Sequence, residues 1–121
     1  MAKYVDGFVL VVPKDKVEEY TKMATEGRDS WMKHGALQYF ECKGDDLKAD
    51  EMGDMKSLAF TELAKASADE TVWFSFIVFE SRAHRDEVNK KVPYTKIIWV
   101  GSTKTSKTLK TYLQTFNTSA K

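Results

Sequence analysis

An α+β domain with two helices packed on one antiparallel sheet is the fold class the sequence predicts, and three observations predict it. Short β-branched and aromatic runs alternate with two segments of helical spacing. Their order is β-α-β-(irregular)-β-α-β, the ferredoxin-like β-α-β-β-α-β arrangement. A length of 121 residues suits one domain, and 42% hydrophobic with 31% charged residues separates it from disordered chains.

Tyr4 to Val12 (YVDGFVLVV) is β-branched and aromatic and is stopped by Pro13, which makes it the first strand. Lys14 to His34 is the first helix. Val17, Tyr20, Ala24, Gly27 and Trp31 recur every three or four residues and draw one stripe down it. Glu18 and Glu19 near its start and His34 at its end suit the helix dipole, and Gly35 supplies the left-handed residue that ends helices. Ala36 to Gly44 (ALQYFECKG) reads as the second strand and Asp45 to Lys56 as a polar connection. Ser57 to Ala68, with Leu58, Phe60 and Leu63, fits a helix or an irregular edge segment. Thr71 to Phe79 (TVWFSFIVF) is the strongest strand in the chain. Ser81 caps a helix over Arg82 to Lys91, which Pro93 ends. Lys96 to Val100 (KIIWV) is the expected fourth strand, so residues 1–101 make the domain. Residues 102–121 form a basic tail in which Leu109, Tyr112, Leu113 and Phe116 have the spacing of a short amphipathic docking helix.

The strands do not alternate apolar with polar. Val5, Val9 and Val11 oppose Tyr4, Phe8, Leu10 and Val12; Val72, Phe74, Phe76 and Val78 oppose Trp73, Ile77 and Phe79. Two helices cover one face only. Burying each side chain left on the other is worth roughly 1.5–3 kcal/mol, and an apolar patch of that size marks a partner site. The simplest solution is a homodimer packing sheet against sheet. The alternative is that the 57–68 segment or the tail folds over the open face.

A single cysteine, Cys42, makes no internal disulfide, and the N-terminus shows no basic-then-apolar leader. Phe8 to Val12 is far too short to span a bilayer, so a cytoplasmic protein without a membrane span is expected. Net charge is +1, yet all 18 acidic residues lie at or before Glu87, and the last 34 residues carry seven lysines and no acid. Such asymmetry suits nucleic acid or acidic lipid, although a solvated tail explains it more simply.

YVDGFV, GALQYFECKGDD and DETVWFSFIVFESRAHRDEVNKKV, in order between Tyr4 and Val92, resemble the bacterial YbaA-like proteins, domain of unknown function 1428, within the dimeric α/β-barrel superfamily. The resemblance implies a sheet-to-sheet dimer closing a barrel and brings no established activity. The chain departs from that pattern after Val92. Members continue with a Met- and Pro-containing loop and a K-R-M-x-Y-G-G-F-like strand, whereas here Pro93, Tyr94 and Thr95 lead straight into KIIWVG and a Thr/Lys-rich stretch.

Polar residues inside apolar strands are the candidate site. Asp6 shares a face with Tyr4 and Phe8, Glu41 with Leu37 and Tyr39, and Ser75 with Trp73 and Ile77. If Asp6 and Glu41 both face the barrel interior they form a catalytic acid/base pair; otherwise each is wet or paired with a lysine. Tyr4, Tyr39, Trp73, Phe74 and Ser75 would hold a ligand, and Arg85 would reach Glu41, Asp6 or an anionic ligand unless it serves a surface network with Asp86 and Asn89. Two histidines and one cysteine supply no metal set. No Gly-rich phosphate loop or RNA-binding aromatic signature appears, so no cofactor is expected and nucleic acid is not the favoured partner. The first reading is a cytosolic homodimer that binds a small, partly apolar molecule in a barrel cavity. The others are a cofactor-independent monooxygenase or isomerase using a buried carboxylate, and nucleic-acid or lipid contact through the lysine tail. Binding and catalysis both stay open at this point.

Overall fold

The computed structural model describes residues 2–48, 51–52, 55–93 and 110–119. Strand β1 (Tyr4–Pro13) leads through a 3-10 turn at Lys14–Lys16 into α1 (Val17–Lys33). Strand β2 (Gln38–Lys43) follows, then a two-residue hairpin of β3 (Glu51–Met52) and β4 (Met55–Lys56), and a single turn α2 (Phe60–Leu63). Strand β5 (Glu70–Phe79), α3 (Arg82–Lys91) and β6 (Lys110–Asn117) complete the described chain. The main sheet runs β2-β5-β1-β6 with every neighbour antiparallel. The two longest apolar strands therefore take the centre, where both faces can be covered. This is the α+β, ferredoxin-like architecture.

The helix ends follow from local chemistry. Gly35 has φ +117°, and its N–H bonds Met32 O while Ala36 N–H reaches back to Trp31 O, a Schellman closure that satisfies the last carbonyls of α1. Ser81 Oγ accepts from His84 N–H at 3.1 Å and caps α3.

Tyr4, Phe8, Leu10 and Val12 of β1 share the helix face with Trp73, Ile77 and Phe79 of β5. Trp31 of α1 and Val88 of α3 close one half of the core over Tyr4, Ile77 and Phe79. Tyr20 and Ala24 of α1 close the other half over Leu10, Val12 and Trp73. The α1 stripe is thus the core seam.

The opposite face is partly roofed from within the chain. Phe60 of α2 lies 6.2 Å from Phe74, Tyr112 OH donates to Ala64 O, and Lys110 Nζ donates to Lys65 O. Ala59 and Ala64 are buried in this roof, and Val11 and Val72 beneath the sheet's end are closed off from solvent. The covering by 57–68 weighed against the dimer is real at that end. Beyond it the face stays apolar and open: Phe40 stacks on Phe76 at 4.9 Å, Phe76 meets Phe74 at 5.7 Å, and Phe40, Phe74 and Phe116 remain more than two-fifths exposed.

Two expectations need correction or placing. The docking helix of the tail is absent: residues 110–117 form β6, paired with β1 over eight residues from Val11↔Lys110 to Tyr4↔Asn117. Its Thr, Tyr and Phe residues suit a pleated edge, and an unpaired β1 edge offers more hydrogen bonds than an isolated short helix. The fourth strand expected at Lys96 to Val100 lies outside the described residues, and the fourth place in the described sheet belongs to β6.

Candidate functional site

Alternation along β2 turns Tyr39, Glu41 and Lys43 toward the helices, opposite Ile77, Ser75 and Trp73 of β5. The α1 stripe brings Tyr20 and Ala24 down onto the same place. Alanine in the stripe leaves room between the bulky Tyr20 and Trp31. The result is an open cleft of about 530 Å³ lined by Thr21, Ala24, Thr25, Arg28, Tyr39, Phe40, Glu41, Lys43 and Trp73, a size usual for small-molecule sites.

Glu41 is its polar centre. Tyr20 OH donates to Glu41 Oε2 at 2.9 Å and Tyr39 OH to Oε1 at 2.8 Å, so each carboxylate oxygen holds one phenol. Burial pushes the Glu41 carboxyl above its ordinary range, and the two phenols pull it only partly back. Burial foremost, and then the Glu41 charge, push both phenols far up, so they stay protonated donors. Tyr20 also sits edge-on to Trp73 at 4.7 Å, and Tyr39 packs against Trp31 at 5.9 Å, which fixes both rings. Trp73 Nε1 is buried with no hydrogen-bond partner among the described residues. A carboxyl so placed can hold a ligand donor or exchange a proton with it.

A second polar group lies under α3. Arg85 Nη1 is 3.3 Å from Asp6 Oδ1, Nη2 is 3.5 Å from Tyr4 OH, and the guanidinium carbon sits 5.2 Å from the centre of the Tyr4 ring. Tyr4 OH donates to Thr115 Oγ1 at 2.8 Å, which ties β6 into the cluster. Arg85 Nε lies 2.9 Å from Asp86 Oδ1, close enough for ionic attraction but not aligned as a hydrogen bond. Asp6 is 3% exposed. Its burial raises the carboxyl, Arg85 opposes that, and Asp86 adds to it.

The residues named from sequence therefore separate. Tyr4, Asp6 and Arg85 come together, as do Tyr39, Glu41 and Trp73, and Ser75 is buried beside Glu41 in register. Asp6 and Glu41 do not meet: β5 runs between them, and each has its own partners. Arg85 reaches Asp6 rather than Glu41. The candidates, apart from Phe74, also lie on the helix side of the sheet, whereas a sheet-to-sheet cavity would be faced by Val5, Gly7, Val9, Phe40, Cys42, Phe74 and Phe76.

Tyr20, Arg28, Thr21 and Thr25 were not legible as site residues. Tyr20 carried a usable signal, since a tyrosine in a buried stripe needs a partner for its hydroxyl. Arg28 carried none. Asn89 accepts from Trp31 Nε1 at 3.0 Å and His84 Nδ1 accepts from Glu80 N–H at 3.0 Å, so both hold structure together. Among the described residues no three His, Cys, Asp or Glu side chains converge on a metal site.

Comparison with known proteins adds a family and a fold. The family profile "Protein of unknown function (DUF1428)" matches residues 3–98. The uncharacterized protein YbaA of Escherichia coli strain K12 is 39% identical over 90 residues, which cover 74% of this chain and 73% of that protein, and YbaA of Shigella flexneri matches equally. A conserved protein of unknown function from Bacteroides thetaiotaomicron VPI-5482, described as a possible oxidoreductase, superposes with a TM-score of 0.62 at 11% identity, covering 96% of this chain and 98% of that one. A dimeric ferredoxin-like protein from an uncultured marine organism gives the same TM-score at 8% identity, covering 100% of this chain and 99% of that one. At such identities the two structures speak for the fold alone.

Proposed function

The chain belongs to the DUF1428 family, and from the geometry of its helix-side cleft we propose that it is a homodimeric binding protein for a small, partly apolar molecule. The observation that carries this reading is Glu41, a largely buried carboxyl gripped by Tyr20 and Tyr39 at a cleft of about 530 Å³. Burying a carboxyl is costly unless it is hydrogen-bonded, and the two phenols meet that need while the cleft leaves the group within a ligand's reach. Ala24 and the Trp73 ring supply the apolar walls. The ligand seat is on the helix side, so each subunit would carry its own.

The dimer half of the reading rests on the Phe40–Phe76–Phe74 ladder and its open surroundings, which water solvates poorly. A similarly folded protein being dimeric is in keeping with it. A cytoplasmic setting is consistent with the single exposed Cys42, and no helix among the described residues is long and apolar enough to cross a membrane. Of the lysines in residues 102–121 only Lys110 is among the described residues, and its Nζ donates to Lys65 O, so no observation favours nucleic-acid or lipid contact through the tail.

The test is thermal unfolding of the wild type and Glu41→Gln against a library of small metabolites. A compound that stabilises the wild type, is unchanged after incubation, and loses its effect in Glu41→Gln supports the binding protein. Equal stabilisation of both proteins by every hit would place the ligand elsewhere and end this reading. The raised Glu41 carboxyl favours one second reading, an isomerase or cofactor-independent oxygenase in which Glu41 moves a proton next to a carbonyl. Chemical change in the bound compound, lost in Glu41→Gln while binding persists, would select it. Asp6, held by Arg85 outside the cleft, takes the structural role in both.

A further inference from the structure

We propose that the cleft between α1 and β2 takes small organic acids, with the ligand carboxylate on Arg28 and Lys43 at the mouth and its apolar body against Trp73 and Ala24. This rests on the reading of that cleft as a ligand site and adds the chemical class.

Three observations carry it. The lining contains two cations, Arg28 and Lys43, and one acid, Glu41. Glu41 is already served by two phenols, and among the described residues no ion pair joins it to Arg28 or Lys43. The cations are therefore not spent on the acid beside them. Arg28 stands close enough to lower the Tyr39 phenol's resistance to ionisation, so its charge reaches the cleft interior.

The competing claim on Arg28 is weak. Its Nε and Nη2 both lean on Asp29 Oδ1, at 3.3 and 3.1 Å, in an exposed pair between sequence neighbours. Exposed pairs of this kind are worth about 0–1 kcal/mol. Arg28 Nη1 and Lys43 Nζ have no partner among the described residues. A guanidinium with a donor left over suits a carboxylate, which two parallel hydrogen bonds can grip. Thr21 and Thr25 commit their hydroxyl protons to Val17 O and Thr21 O, so on this wall of α1 the donors for a carboxylate are left to the cations. Positive at the mouth and apolar behind, the cleft matches an acid with a ring or short chain.

The experiment is calorimetric titration of the full chain with benzoate, phenylacetate and 3-phenylpropionate, each beside its neutral primary amide. At least one acid is expected to bind while its amide does not, and added salt should weaken binding. Arg28→Gln should weaken it about ten-fold or more, the loss expected for one charge-assisted hydrogen bond, whereas Lys22→Gln, a charge change outside the cleft lining, should leave it unchanged. Amides that bind as tightly as their acids, with a dependence on Glu41, would overturn the acid class and leave the cleft standing. Equal losses in Arg28→Gln and Lys22→Gln would reduce the effect to general charge and also overturn it. Failure of all six probes would overturn the proposed class. If the metabolite library also gave no Glu41-dependent hit, the cleft itself would fall.

Discussion

Two carboxyls sit on the helix side of this sheet, and their partners set different behaviour for each. Asp6 leans on one guanidinium, so Arg85→Ala should cost about 3–5 kcal/mol by leaving a buried charge alone. Because burial raises the Asp6 carboxyl in the folded state, its contribution is greatest below the unfolded value and is lost as pH rises through the folded one. Loss of Arg85 raises it further, so urea denaturation should show a larger deficit near pH 7 than near pH 4. Glu41 is raised as well, with the same sign of pH dependence, but its partners are phenols. Tyr20→Phe should cost about 1–2 kcal/mol, since Tyr39 still serves the other oxygen and the ring still packs on Trp73. At this scale the sequence singled out Asp6, Glu41 and Ser75 because polar groups in apolar strands need explaining, and Tyr39 and Trp73 as aromatic ligand contacts. It could not pair them, because pairing depends on which helix residue lies above each strand residue.

Among the elements, β6 is the one whose role depends most on its neighbours. Lys3 N–H donates to Thr118 Oγ1 at 2.7 Å, Thr118 N–H returns to Lys3 O, and Tyr4 holds Thr115, so its far end is fastened to the start of β1. Ending the chain before Lys110 would turn β1 into an exposed edge. Such a protein should unfold at lower temperature and scatter light on standing, because a long apolar edge recruits other chains. The spacing that suggested a helix here reflects a general ambiguity: apolar residues over eight positions fit either period when tertiary partners are ignored. By contrast α1 is set by its own sequence, down to Gly35. With φ +117° that position suits glycine alone, and Gly35→Ala should cost about 1–2 kcal/mol in denaturant melts.

For the molecule as a whole, the homodimer proposed from the open sheet face makes a sharp prediction. Sedimentation should give about twice the 13.8 kDa chain mass, and Phe76→Asp, placed mid-ladder, should shift it to a single chain while the Tyr20–Glu41–Tyr39 hydrogen bonds on the helix side persist. A wild type that sediments as one chain at micromolar concentration would remove the dimer and leave the Tyr20–Glu41–Tyr39 group standing, since its hydrogen bonds all lie within one chain. The sequence by itself determined the class of fold, the two long apolar strands, the helix stripe and which acids interrupt apolar strands, because each of these is written in local periodicity or in a polar residue surrounded by apolar ones. Only the tertiary structure decided that 110–117 becomes a strand, that 57–68 roofs one end of the open face, and that Glu41 meets Tyr20 rather than Asp6. Those outcomes depend on which distant segments come into contact, and no local pattern of residues encodes a distance across the sheet.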